Sequence, residues 1–169
     1  GKDDNWWGPA GLTGPCGPCT EVYYWKSAKP APRKFDPSDK NWVEIGNDVL
    51  MEYSKTADGE YAPLKQKNVD FGGGLERIIA VVNGIDDDYL SEVFLPMIKK
   101  IETISRQKYA GNQKSMRIIA DHIRTSVFIL NEKVSPSNVE HGYILRRLIR
   151  RAIRHGKQLG LENNFTKEI

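Results

Sequence analysis

The chain has 169 residues, 39% of them hydrophobic, enough for one sizeable domain or two small ones with a buried core and no disulfide staples. No run approaches the roughly 18 apolar residues of a membrane span, the opening residues Lys2, Asp3 and Asp4 do not read as a signal peptide, and Cys16 and Cys19 are too close in sequence to staple distant segments, so a soluble protein of a reducing, cytoplasmic compartment is expected. The net charge of +3 hides an asymmetry: residues 1–84 hold 10 Lys or Arg against 12 Asp or Glu, a balance of −2, and residues 85–169 hold 15 against 10, a balance of +5, which makes the second half the expected place for an anionic partner.

In chain order, the first half is rich in Gly, Pro and aromatics. Strands are predicted at 20–25, 42–53 and 66–71, separated by the turn-forming runs "SAKPAPRKFDPSDKN" and "TADGEYAP", which implies an antiparallel meander. From Leu75 the period becomes helical: Leu75, Ile78, Ile79 and Val82 share one stripe, and Gly84 is placed to stop the helix. Leu90, Val93, Phe94, Met97, Ile98 and Ile101 form an amphipathic segment with Asp86 to Asp88 at its N-terminal end, and Pro96 implies a kink or the start of a separate helix. Met116, Ile119, Ala120, Ile123, Val127 and Leu130 predict a further helix, and Ile144 to His155 another, joined by "NEKVSPSNVEHG". The fold class expected is α+β, with a sheet-containing part over residues 1–84 and an all-helical part over 85–169.

Three stretches carry candidate chemistry. In "VDFGGGLERI", Gly72, Gly73 and Gly74 let backbone pass close to a ligand, a helix N-terminus follows with free N–H groups, and Arg77 sits one turn inside it. That suits a nucleotide phosphate, although a tight strand-to-helix turn with a surface arginine explains the same residues. The spacing fits neither the dinucleotide fingerprint nor the P-loop. In the last helix Arg146, Arg147, Arg150, Arg151 and Arg154 fall on one arc of roughly 140° opposite an apolar side, and no acidic residue occurs between His141 and Leu161. Unpaired like charges oppose one another, and arginine forms bidentate bonds to phosphate, so a nucleic-acid backbone is the favoured partner over a merely solvated face. The third stretch is "TGPCGPCTE", residues 13–21. A zinc site needs four ligands, no second CxxC occurs and His122, His141 and His155 lie far along the chain, so a structural loop without zinc is expected.

Taken in order, "DNWW", "TGPCGPCTE", "EIGNDVLMEY", "VDFGGGLERI", "RIIADHIR" and "PSNVEHGYILRRLIRRAIRHG" resemble the alanyl-tRNA synthetases over nearly the whole chain. The resemblance implies part of a class II synthetase antiparallel sheet with a flanking helix, followed by helices that recognise the tRNA acceptor stem. It implies the activity of an alanine-tRNA ligase: ATP-dependent formation of alanyl-adenylate and transfer to tRNA(Ala), with ATP and Mg2+ as nucleotide substrate, alanine, tRNA(Ala) and the remainder of the synthetase chain as partners, and no membrane. "GGGLERI" is similar to the third class II signature, so Arg77 takes the ATP-phosphate role with Gly72, Gly73 and Gly74 shaping the pocket. Trp7, Val49 and Asp70 match the positions lining the small alanine site, the aspartate facing the ammonium, and Asn47 is a carboxylate or backbone partner. Asn138 matches the residue that reads the G·U pair of the stem, with Arg146, Arg147, Arg150, Arg151 and Arg154 on phosphates, although Asn138 also suits a cap on the turn after Pro136. His141 stands where the family has arginine. The first two class II signatures and the family's editing domain are not in this sequence, so this stretch alone is expected not to activate alanine. The alternative from another class is a non-catalytic RNA-binding module built on the same fold.

Overall fold

The computed structural model describes residues 3–162 and 164–169. The chain divides into two compact units, Gly1–Asp86 and Asp87–Ile169. No helix among the described residues is long and apolar enough to cross a membrane.

The first unit is a four-stranded antiparallel sheet in the order β1-β2-β3-β4, formed by β1 (Trp6–Trp7), β2 (Gly14–Trp25), β3 (Trp42–Lys55) and β4 (Tyr61–Gly73). Hydrophobic alternation foresaw the meander but not its extent. The short edge strand β1 was not expected, and the Gly-Pro-Cys repeats are not a loop: they are the start of β2, where Pro15 lies opposite Ser54 near the strand's beginning and Pro18 falls where the ladder to β3 is broken between Cys16 and Cys19. β3, an inner strand, pairs with β2 and β4 at once over Gly46 to Val49 and Tyr53 to Lys55. The β3–β4 hairpin closes through Gly59, whose φ of +89° is open to glycine without strain, with Thr56 N–H donating to Glu60 O at 2.9 Å. β4 runs straight into helix α1 (Leu75–Val82). Gly84 ends that helix at φ +63°: its N–H donates to Val81 O and the N–H of Ile85 to Ala80 O, a Schellman closure.

The second unit is helical. A 3₁₀ turn at Asp88–Leu90 precedes α2 (Leu95–Ser105), α3 (Gln113–Asn131) and α4 (Glu140–Gln158), with a last 3₁₀ turn at Phe165–Lys167. Of the two outcomes Pro96 allowed, the structure takes the second: α2 begins at Leu95 with Pro96 in its first turn, where a missing N–H costs nothing, and Leu90 belongs to the preceding turn instead. Ile98, Ile101, Met116, Ile119 and Ala152 form the fully buried centre, with Phe165 closing it from the C-terminal end. Gly156 of α4 lies against that ring, so that a Cβ there would stand 2.2 Å from Phe165 Cζ.

A polar latch fastens the start of this unit. Asp87 Oδ2 accepts from Tyr109 Oη at 2.7 Å and from Arg117 Nη2 at 2.6 Å, Arg117 Nε donates to Tyr109 Oη at 2.7 Å, and Asp87 Oδ1 accepts from Tyr89 N–H at 3.1 Å. Burial alone would raise the Asp87 carboxyl, but its three hydrogen bonds and the Arg117 charge outweigh that and hold it below the usual carboxylate range. Tyr109 is pushed up to about 12, by burial first. Because the folded value of Asp87 is depressed, its stabilisation is present above the unfolded value of about 3.9 and is lost as pH falls through the folded one. Asp87→Asn is therefore expected to lower the melting temperature at pH 7, and thermal melts at falling pH should show the gap to wild type narrowing below about pH 4. Gly156→Ala should also lower the melting temperature, by overpacking against Phe165 worth about 1 to 3 kcal/mol, although alanine is the better helix former by about 1 kcal/mol; a rise would refute the tight fit.

Candidate active site and nucleic-acid interface

Antiparallel partners share a face of the sheet, as do residues two apart on one strand. The register pairs Cys19 with Val49 and Val49 with Asp70, and pairs Glu21 with Asn47 and Asn47 with Gly72. Two adjacent rows, Cys19–Val49–Asp70 and Glu21–Asn47–Gly72, therefore lie on one face. Val49 is buried at 4% exposure, whereas Asp70 is exposed and its carboxylate has no hydrogen-bond or ion-pair partner among the described residues. The rows offer an apolar floor beside an open anion.

One irregularity extends this face. Val22 pairs with Gly46 but Tyr23 pairs with Glu44, so Ile45 is an extra residue in β3. Such a bulge shifts the alternation by one position, which turns Glu44 to the face of Asn47 and Val49 instead of the opposite one. Tyr23 Oη donates to Glu21 Oε2 at 2.6 Å on this face, and that bond, ahead of burial and the charges of Glu21 and Glu44, pushes the tyrosine up to about 12.

The glycine run is explained by what lies against it. A Cβ at Gly72 would stand 2.6 Å from Asn47 Oδ1, one at Gly73 3.2 Å from the Phe71 ring, and one at Gly74 3.3 Å from Arg77 Cδ. Each glycine thus seats a neighbour's side chain: the Asn47 amide, the Phe71 ring and the Arg77 stem. Gly74 N–H donates to Ile45 O at 2.9 Å, which ties the strand-to-helix turn to the bulge. From α1, Arg77 Nη1 donates to Glu44 O at 2.9 Å and to Glu44 Oε2 at 3.1 Å. Trp7 lies at the other edge, on β1 opposite Gly17 and 38% exposed, two residues along β2 from the Cys19 row. Cys16 is buried, Cys19 half-buried, and both thiols are free. Among the described residues no group of three His, Cys, Asp or Glu side chains is placed to hold a metal ion.

In the helical unit, α4 buries Leu145 and Ala152 and exposes Arg146, Arg147, Arg150, Arg151 and Arg154. Arg147 lies over the Tyr143 ring at 5.7 Å, and Arg146 Nη1 donates to Asn138 Oδ1. Asn138 is therefore not the cap of the preceding turn; Ser137 does that work, its Oγ accepting from Val139 N–H at 3.3 Å. Arg150, Arg151 and Arg154 have no acidic partner among the described residues. Arg147 and Arg151 also line a cavity of about 220 Å³ with His122, Ile144 and Leu148. His155, whose Nδ1 is 3.1 Å from Ser115 Oγ, is held below its ordinary value by burial first and then by the charges of Arg151, Arg154, Lys114 and His122. The field along this ridge is positive.

The family described as tRNA synthetases class II (A) matches residues 1–169. The alanine–tRNA ligase of Treponema denticola is 52% identical over 172 residues, covering 97% of this chain and 28% of that protein. That of Treponema pallidum is 45% identical over 175 residues, covering 99% and 29%, and that of Thermotoga maritima 44% over 177 residues, covering 100% and 20%. The chain belongs to the class II tRNA synthetases. It spans 20% to 29% of the length of these relatives.

For this class II synthetase chain the structure gathers Asn47, Val49, Asp70, Gly72, Gly73, Gly74 and Arg77 along β3, β4 and the start of α1, with Trp7 at the far edge. Asn138 and the five arginines gather on α4 and the turn before it. Sequence reasoning missed Glu44 and Glu21, and weighed Cys19 only as a metal ligand. Period-two alternation places Glu44 on the wrong face, and nothing in "WVEIGNDV" announces the extra residue except a glycine inside a strand pattern, which is a known mark of a bulge.

Proposed function

We propose that the chain is the C-terminal part of the catalytic core of an alanine-tRNA ligase, residues 1–84, joined to a region that recognises the tRNA acceptor stem, residues 85–169. The name shared by its relatives supports this, and one observation carries the chemistry: Val49, Asp70, Asn47 and Gly72 share a sheet face that the bulge at Ile45 extends to Glu44, the partner of Arg77.

In that reading the alanine ammonium meets the open Asp70 carboxylate, its methyl lies against Val49 with Trp7 limiting the volume, and the Asn47 amide orients the carboxylate. An alanine carboxylate oxygen attacks the α-phosphorus of ATP, which enters as its magnesium complex, and the bond to pyrophosphate breaks. Arg77, at the mouth of the glycine run, offsets the charge that develops on the phosphate oxygens. The adenylate is then attacked by the terminal ribose of tRNA(Ala), whose stem lies along α4 with Asn138 toward the minor groove and the arginines on phosphates. The setting is cytoplasmic protein synthesis.

Alanine-dependent exchange of pyrophosphate into ATP tests the active site in the full-length protein. Arg77→Ala is expected to reduce exchange by about 10²- to 10³-fold, and Asp70→Asn to raise KM for alanine by at least about tenfold with KM for ATP little changed. Absence of exchange in the unsubstituted full-length protein would favour the non-catalytic RNA-binding module, whereas full exchange by both variants would remove Arg77 and Asp70 from the site. For the helical unit, binding of an acceptor-stem minihelix is measured against salt. Arg150→Ala with Arg151→Ala should weaken binding and reduce the slope of log K against log salt by roughly 2, about 1 for each phosphate contact. An unchanged slope would place the RNA elsewhere.

A further inference from the structure

We propose that Glu44 is a positioning residue for Arg77, gripping one nitrogen of the guanidinium so that its opposite edge is presented to a phosphate. This rests on Arg77 being the ATP-phosphate ligand. Both contacts that Arg77 makes pass through Nη1, one to the main-chain oxygen of Glu44 at 2.9 Å and one to its carboxylate at 3.1 Å. Nε and Nη2 have no partner among the described residues. Those two nitrogens form the side of the fork that binds two oxygens of one phosphate with parallel hydrogen bonds.

The other end of the side chain is held as well, since the Arg77 stem lies against Gly74, whose absent Cβ would stand 3.3 Å from Cδ. An arginine fixed at stem and tip has few rotamers left, so a phosphate that binds it meets a preformed donor pair. Glu44 reaches this position only through the extra residue at Ile45; with regular alternation its carboxylate would lie on the opposite face. The bulge also receives Gly74 N–H through Ile45 O, so one irregularity sets the helix start and the partner of its arginine together.

The test uses full-length protein carrying Glu44→Gln, Glu44→Ala, Arg77→Ala and the double variant Glu44→Ala/Arg77→Ala, with thermal melts to confirm folding and with ATP and alanine titrated separately in pyrophosphate exchange. Glu44→Ala is expected to lose about three- to fivefold in kcat/KM for ATP while KM for alanine stays within about twofold. Glu44→Gln, which keeps an acceptor oxygen, should retain part of that loss. In the Arg77→Ala background, removing Glu44 should cost nothing further, because the group it positions is gone. An equal loss with and without Arg77, or a rise in KM for alanine matching that for ATP, overturns the proposal and leaves the role of Arg77 standing. Unimpaired exchange in Arg77→Ala overturns the reading of Arg77 and this one with it.

Discussion

The first unit depends on close backbone approach at its glycines: a Cβ at Gly17 would stand 1.9 Å from Leu50 O and one at Gly46 2.8 Å from Gly72 O, while the run from Gly72 to Gly74 leaves room for side chains. Gly72 seats the Asn47 amide, Gly73 the Phe71 ring and Gly74 the Arg77 stem. A methyl at Gly72 would stand 2.6 Å from Asn47 Oδ1, a distance that real Cβ atoms do not keep. The glycines therefore act on the protein before they act on any ligand. Gly72 leaves room for the Asn47 amide on one face of the sheet, Gly73 for the Phe71 ring on the other, and Gly74 for the Arg77 stem at the start of α1.

The second unit solves a different problem. A helix with a strongly cationic side must be anchored by its other side, because five arginines without acids repel one another and propensity alone does not hold such a helix in water. Leu145 and Ala152, both fully buried, supply the anchor, and Gly156 lets the Phe165 ring close over the last turn. Arg146 against Asn138 and Arg147 over Tyr143 relieve part of the repulsion. Arg150, Arg151 and Arg154 are left to solvent, and His155, whose Nδ1 lies 3.1 Å from Ser115 Oγ of α3, is held low by burial first and then by the charges of Arg151 and Arg154.

Much of this was legible beforehand, and the gaps have physical causes. The meander, the four helices and the cationic arc follow from periods of two and of 3.6, which depend on burial alone. The residues gathered on the sheet face followed from motif resemblance; alternation by itself shows that Asn47 and Val49 share a face but not that Asp70 lies opposite Val49, since register between strands is a tertiary fact. The Gly-Pro-Cys repeats were misread as a loop because proline normally terminates a ladder, and here Pro15 sits at the strand's start and Pro18 in a register irregularity. Glu44 was invisible for the same kind of reason: one inserted residue reverses the parity on which sequence reasoning relies.

The energetics of the Glu44–Arg77 pair bear on why it is kept. The two side chains are 37% and 49% exposed, and an ion pair so open to water is worth about 0 to 1 kcal/mol, which is small against the cost of a bulge in the inner strand of a sheet. Stability is thus a poor reason for turning Glu44 to this face. Orientation is a better one, because a guanidinium held in one rotamer would spend less rotamer entropy on binding a phosphate, a gain bounded by how far the pair favours that rotamer. A lysine at position 77 could donate to the same carboxylate as a point charge but would offer no second edge, so an orienting role for the pair suits a planar, forked cation.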